Sequence, residues 1–384
     1  GERFGFYPQS PKMQGSDKPV IWLHAVSVGE TRATQSLVTQ LRATYPNHRI
    51  LLTHTTPTGR AASEQLYGDD VIRVYLPYDY PFAVRRFLSH FRPQLGILME
   101  TEIWVNLIHA CRSNDIPLLL LNARMSEKSA KGYANFEKLT RPTLGALNAV
   151  AAQTDDDAAR LTQLGANNVS VMGNLKFDIE PPAPMLTLGK QLREQFGGQR
   201  KVFLAASTRA NSIGDGEEAL LLDALQQVND PALLVVIVPR HPQRFDEVAN
   251  FLEQRNIKFQ RRSAAQPIAP DTAVVLGDSM GEMFAYYAAA DLAFIGGSLL
   301  PFGGQNLIES CAVGTPVLIG LHTYNFTEAT RLATQCGAAI QIQDATQLIT
   351  EAQRLLADTA SLDEIRKQCL ECVALNRGAT DKAI

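Results

Sequence analysis

Residues 294–320 read FIGGSLLPFGGQNLIESCAVGTPVLIG, a strand-like run, two Gly-Gly steps, an apolar helix opened by Asn306 and Glu309, and a second strand-like run at 316–319. Glycine lets backbone amides approach a ligand closely, and a helix start offers N–H groups to anions. Asn306 and Glu309 are three apart, so the spacing places them on one face of the first helical turn, where an amide and a carboxylate hold sugar hydroxyls. The stretch outlines a nucleotide site in a βαβ unit, and it lies late in the chain, where a plain dinucleotide-binding enzyme would not carry it.

Working outward, the same alternation fills the chain. Strands are expected at 20–26, 50–55, 71–76, 95–99, 117–121 and 149–153, with helices at 31–45, 59–66, 83–91, 104–113 and 155–164, the pattern of a parallel sheet covered on both faces. Three prolines in DIEPPAPMLTL then disfavour both helix and sheet and mark a linker at 179–188. The pattern restarts with strands at 202–206, 232–238, 273–276, 292–295 and 316–319 and helices at 217–227 and 244–255. The expected organisation is an α/β protein of two Rossmann-like domains, 1–178 and 189–360, followed by a C-terminal helix within 361–384 that packs back on the first. The cleft between two such domains is the default ligand site.

Composition bounds the function. The 384 residues exceed one ordinary core, 45% are apolar, and the net charge of −3 argues against nucleic acid as a partner. By count residues 1–180 carry +2 and the remainder −5, a mild asymmetry. Cys111, Cys311, Cys336, Cys369 and Cys372 are an odd number and are read as reduced thiols; the C-x-x-C of Cys369 and Cys372 has helical spacing and no second pair or His to complete a metal site. No G-x-G-x-x-G follows the first strand, and no P-loop or H-E-x-x-H motif occurs, so no resident cofactor or catalytic metal is expected.

Candidate chemistry gathers at strand ends. His24-Ala-Val-Ser27-Val-Gly29-Glu30 leaves the first strand and delivers Glu30 to a helix start, suiting either a general base or a carboxylate favoured by the helix dipole. Glu100 and Glu102 follow the strand at 95–99, and as a pair at i and i+2 leaving a strand they are expected to point the same way. Lys176, just before the linker, is placed to offer a fixed ammonium across the cleft. Arg209 and Arg240 follow two strands of the second half, Met280-Gly281-Glu282 opens another loop, and together they suggest an anion site with Arg209 on a phosphate. Thr58, Arg60 and Arg124 lie on polar strand-end loops of the first half and, with Ser27 and Gly29, are the acceptor-side candidates.

Taken together, VSVGE at 26–30, METEIW at 99–104, GNLKFD at 173–178, PRHP at 239–242, DSMGEM at 278–283 and GGSLLPFGGQNLIE at 296–309 resemble the 3-deoxy-D-manno-octulosonic acid (Kdo) transferases of lipopolysaccharide biosynthesis. The resemblance implies a GT-B fold and inverting, metal-independent transfer of Kdo from CMP-Kdo to a lipid A precursor, lipid IVA. It implies Glu30 as general base, Glu100 and Lys176 as transition-state stabilisers, and CMP contacts from Pro239, Arg240, Met280, Gly281, Glu282, Asn306, Leu307, Ile308 and Glu309. Relatives carry a hydrophobic N-terminal anchor ahead of a GERFGFY-like start, so attachment to the cytoplasmic face of the bacterial inner membrane is expected. Two departures stand out: RANSIGDGEE after Thr208 where relatives carry a shorter THEGEE, and Gln305 where they carry His. A UDP-sugar transferase or 2-epimerase, and a non-catalytic nucleotide-sugar binding protein, are the alternatives.

Overall fold

The computed structural model describes residues 1–7, 18–211, 216–226, 228 and 230–384. Two compact units emerge, one of Gly1–Asp178 with Asn376–Ile384, the other of Ile179–Leu375. The first holds strands β1 (Val20–His24), β2 (Arg49–His54), β3 (Ile72–Tyr75), β4 (Leu95–Met99), β5 (Leu118–Ala123), β6 (Ala149–Ala152) and β7 (Val169–Val171). All pair in parallel in the order β3-β2-β1-β4-β5-β6-β7. β1 is buried from end to end, and such continuous apolar strands are what helices on both faces of a sheet require. One face packs Trp22, Phe87 and Phe91, the other Leu23, Leu37 and Leu52.

The second unit repeats the design with β8 (Lys201–Thr208), β9 (Leu233–Pro239), β10 (Phe259–Arg261), β11 (Val274–Leu276), β12 (Leu292–Ile295), β13 (Val317–Ile319) and β14 (Ala339–Gln341). Their order is β10-β11-β9-β8-β12-β13-β14, again all parallel. Connections run outward in opposite directions from β1 and β4 in one sheet and from β8 and β12 in the other. In such sheets ligands bind beyond the carboxyl ends of those two strands. That edge carries the loops after His24 and Met99 in the first unit, and after Thr208 and Ile295 in the second.

Several expectations need correction. The segment read as a linker is largely helix, Ala183–Gln195, because Pro182 serves as its N-cap and Pro184 falls in the first turn, where an absent N–H costs nothing. The terminal helix runs Thr359–Asn376 and belongs to the second unit up to Leu375; only the last nine residues belong to the first. There the carboxylate of Asp178 accepts N–H bonds from Gly378 (2.7 Å) and Thr380 (2.5 Å), and Ser36 meets Thr380 at 2.9 Å. Short strands β7, β10 and β14 escaped the sequence reading, since three-residue edge segments carry little periodicity. Cys369 and Cys372 are buried on the terminal helix, and all five cysteines are free thiols.

Candidate active site

In the first unit, Ser27 caps the helix Val28–Ala33, accepting the Glu30 N–H at 3.3 Å and donating its hydroxyl to Glu30 Oε1 at 3.0 Å. Glu30 Oε2 accepts the N–H of Val26 at 2.9 Å. This reciprocal capping box holds the carboxyl at the carboxyl end of β1. Burial pushes Glu30 up from 4.5 to about 7; the bonds from Val26 and Ser27 oppose the shift, and the charges of Glu100 and Glu102 add to it. Glu30 is thus a helix-start carboxylate whose titration burial moves to near neutrality. Gly29 lies exposed within the helix, and a Cβ there would meet only Ser27 Oγ at 3.8 Å, so the turn does not demand glycine.

Glu100 follows β4 with φ of 56°, a left-handed conformation that is costly without glycine. The strand has ended, so the alternation expected of Glu100 and Glu102 does not operate. Glu100 pairs with Lys176 at 3.2 Å, each side chain about one-fifth exposed. Glu102 Oε2 accepts the Trp104 indole N–H at 2.7 Å and lies 3.7 Å from Nε2 of the buried His24. Lys176 sits on the short turn Leu175–Phe177, seated by Asn122, itself buried with φ of 54°, whose Oδ1 accepts the Leu175 N–H at 3.0 Å. Neither His24 nor Asn122 was singled out from sequence, because their role is to seat neighbours.

The acceptor-side candidates divide. Thr56 ties its helix start to the Glu30 loop, its hydroxyl donating to the Val26 carbonyl at 2.8 Å, and Gly59 is required there because a Cβ would press on that same carbonyl at 2.8 Å. Thr58 is exposed beside it. Arg60 is already engaged, 3.2 Å from Glu2 and 4.9 Å over the Tyr75 ring, which removes it from a free anion-binding role. The half-buried Arg124 has no such partner among the described residues.

In the second unit, β8 and β9 are paired to their carboxyl ends, so Arg209 and Arg240 emerge side by side, the Arg240 N–H bonding the Thr208 carbonyl at 3.0 Å. Ser207 takes φ of 57° at this point. Arg209 lies 4.5 Å over the Phe302 ring, and Arg240 Nε donates to Gln305 at 3.2 Å. Burial and then the charges of Arg240, Arg209 and Arg244 hold His241 below its ordinary value, a sign of how much positive charge converges here.

The glycine loop that opened the sequence reading is shaped by two acids the reading passed over. Glu217, fully buried, accepts N–H bonds from Arg209 (2.9 Å), Gly297 (2.6 Å) and Leu299 (3.0 Å). Glu218 accepts from the Thr208 hydroxyl at 2.5 Å and pairs with Arg244 at 2.7 Å. Gly296 packs on the Thr208 backbone at a distance no Cβ tolerates, and Gly297 takes φ of 71°. The adjacent acids of GDGEE were the available signal; residues 212–215 of that long loop lie outside the described residues.

The helix after the glycines is only Ile308–Ala312, so Asn306 precedes it rather than sharing its turn. Asn306 still meets Glu309 at 3.2 Å, but its Oδ1 takes the Ile308 N–H at 3.1 Å, so the helix start is capped from within. Leu307 and Ile308 have buried side chains and can offer a ligand only backbone. Pro239 ends β9; Met280 is exposed, Gly281 takes φ of 80°, and Glu282 is held by Ser279 (2.6 Å) and Arg262 (3.4 Å).

A cavity of about 570 Å³ lined by Arg42, His48, Arg49 and Asp70 lies at the amino edge of the first sheet, away from these groups. Among the described residues no cluster of three His, Cys, Asp or Glu side chains is arranged to hold a metal, and no helix is long and apolar enough to cross a membrane.

Comparison with known proteins places the chain. The family model described as 3-deoxy-D-manno-octulosonic-acid transferase (kdotransferase) matches residues 1–179. The 3-deoxy-D-manno-octulosonic acid transferase of Bordetella pertussis is 43% identical over 376 residues, covering 95% of this chain and 86% of that protein. The Haemophilus influenzae enzyme of the same name is 35% identical over 390 residues, covering 100% and 89%. In three dimensions the chain resembles a glycosyltransferase from Rickettsia africae, with a TM-score of 0.62 at 14% identity over 96% of this chain and 97% of that one. Two parallel-sheet units of GT-B type, and this similarity over nearly the full length, make the chain a glycosyltransferase of the 3-deoxy-D-manno-octulosonic acid (Kdo) transferase family.

Proposed function

We propose that the protein transfers Kdo from CMP-Kdo to the lipid A precursor lipid IVA with inversion and without a metal, at the cytoplasmic face of the bacterial inner membrane. The observation that carries the chemistry is Glu30: a carboxyl on the carboxyl edge of the first sheet, held by two hydrogen bonds and raised to about 7. As carboxylate it takes the proton of the acceptor hydroxyl while that oxygen bonds to the anomeric carbon of Kdo. The bond from that carbon to the phosphate oxygen breaks, its electron pair leaves with CMP, and attack opposite the leaving group inverts the centre.

Cationic side chains are supplied by each unit of the chain. Arg209 and Arg240 emerge together at the end of β8 and β9, where two guanidinium groups suit a departing phosphate and make a metal unnecessary. Met280, Gly281, Glu282, the side chains of Asn306 and Glu309 and the backbone of Leu307 and Ile308 complete the CMP contacts. In the first unit Lys176 balances Glu100, so the second carboxylate raises Glu30 without leaving an uncompensated charge. Ser27, Gly29, Thr58 and Arg124 border Glu30 or its sheet edge and are assigned to the acceptor.

Incubation with CMP-Kdo and lipid IVA, followed by mass analysis of the lipid, tests the reading: each Kdo addition is one mass increment, and EDTA leaves the yield unchanged. CMP should raise the melting temperature and UDP should not, because only a ligand of the native state stabilises it. A UDP-selective shift with no Kdo-bearing product overturns the assignment.

A further inference from the structure

The first unit carries a surface that the transfer reaction does not use. Its first residues form a turn, Glu2–Phe4, laid directly on the helix Pro81–Phe91. Gly5, with φ of 79°, makes this possible, since a Cβ would sit 2.7 Å from both the Ala83 carbonyl and Arg86 Cβ. The turn is locked: the Arg3 guanidinium donates to the carbonyls of Thr55 and Leu76, the Tyr78 N–H bonds the Arg3 carbonyl at 2.8 Å, and Glu2 accepts the Tyr75 N–H at 2.6 Å.

What this framework holds outward is aromatic. Phe4, Phe6, Tyr78, Tyr80 and Phe82 are 45%, 58%, 47%, 53% and 48% exposed, and they touch in sequence. Phe4 meets Tyr78 edge-on at 5.6 Å, Tyr78 meets Tyr80 at 6.3 Å, Tyr80 stacks parallel on Phe82 at 5.8 Å, and Arg86 bridges Phe82 (5.4 Å) to Phe6 (4.2 Å). Single exposed rings are ordinary, whereas a contiguous patch marks an interaction surface.

Among the described residues of the two segments that carry the rings, the exposed charged side chains are cationic. In residues 1–7 and 76–92 the carboxylates are Glu2 and Asp79, and both are turned inward. Glu2 binds Arg60 and the Tyr75 N–H, and Asp79 accepts the N–H groups of Asn106 (2.9 Å) and Leu107 (2.8 Å). Arg85 and Arg86 remain exposed beside the rings. The patch lies at the ends of β2 and β3, on the carboxyl edge that also carries Glu30 and Glu100.

We propose that this aromatic and cationic face docks the first unit on an anionic phospholipid bilayer, the rings entering the headgroup region and Arg85 and Arg86 meeting lipid phosphates. Amphipathic rings beside arginine suit that boundary, where one end of each group is apolar and the other wet. A second copy of the chain is a poorer occupant, because a two-fold contact sets the same cations against each other. The inference rests on the reading of a membrane-embedded acceptor and adds which surface faces the membrane.

Co-sedimentation of the chain with vesicles tests it. The chain should bind phosphatidylglycerol mixed with phosphatidylethanolamine, bind phosphatidylcholine weakly, and lose binding as salt is raised. Phe6→Ser with Phe82→Ser should weaken binding roughly hundredfold, about tenfold per ring, with an unchanged melting temperature and unchanged transfer to a deacylated, water-soluble acceptor. Phe82→Trp should show blue-shifted emission on the anionic vesicles. Equal vesicle binding by the double variant overturns the assignment of this face while leaving membrane attachment standing. Failure of the unsubstituted chain to bind either vesicle, or a dimer that the double variant abolishes, overturns the proposal outright. Vesicle binding that follows these expectations in a protein without Kdo transfer sustains the docking face and removes the proposed reaction instead.

Discussion

Replacing Glu30 by Gln should disable the reaction and stabilise the first unit, and the stabilisation should grow with pH. Folding raises the Glu30 carboxyl from 4.5 to about 7, chiefly by burial. The protonated form is therefore the one the fold accommodates. Between pH 4.5 and 7 the folded chain holds a proton the unfolded chain has released, so this group's contribution is full below about 4.5 and is lost as pH rises through about 7. The full shift corresponds to about 3 kcal/mol. Gln retains both halves of the capping box, accepting the Val26 N–H and donating to Ser27, but carries no charge to desolvate. Calorimetry at pH 5 and pH 8, a window that spans about 2.5 kcal/mol of that shift, should show the melting advantage of E30Q over the unsubstituted chain widening by about 5–10 °C, the range for a unit of this size. Transfer should fall about 10²–10⁴-fold, the usual contribution of a positioned base. The acid limb of kcat/KM in the unsubstituted protein should centre near the same value, about 7. A melting difference that stays flat with pH refutes the buried-carboxyl argument, and transfer retained in E30Q refutes the base.

Two further outcomes follow from the neighbours of these groups. Lys176→Met leaves the Glu100 charge unbalanced, and since that charge already raises Glu30, the acid limb of kcat/KM should move to higher pH, whereas Glu100→Gln should move it lower; identical limbs in both variants would show that the pair does not tune Glu30. Glu217→Ala strands the N–H groups of Arg209, Gly297 and Leu299 in the interior at about 1–3 kcal/mol each. Titration calorimetry should record weaker CMP binding together with a lower melting temperature, and undiminished CMP affinity would deny Glu217 its hold on the glycine loop.

Sequence alone determined the fold class, because continuous apolar runs alternating with helix-start signals leave a parallel, doubly covered sheet as their physical solution, and this chain contains the pattern twice. It also named Glu30, Glu100, Arg209 and Arg240, since each follows the carboxyl end of a strand, where chain direction alone dictates the functional edge, and Lys176 for its place just before the break between the two halves. Partner choice was beyond its reach. The Glu102–Trp104 bond and the helix begun by Pro182 and Pro184 are local geometry that periodicity does not carry, whereas the pairing of Glu100 with Lys176 and of Arg60 with Glu2 needs residues distant in sequence. The same holds for Glu217, an unremarkable acid at a helix start until folding buries it against three N–H groups from two loops. Even the Glu30 proton belongs to the tertiary structure: sequence supplies the carboxyl, but burial and the two carboxylates brought from the next strand's end move its titration to about 7. Strand and helix type follow from short-range periodicity, whereas pairing, burial and charge coupling arise only when distant segments share one sheet edge.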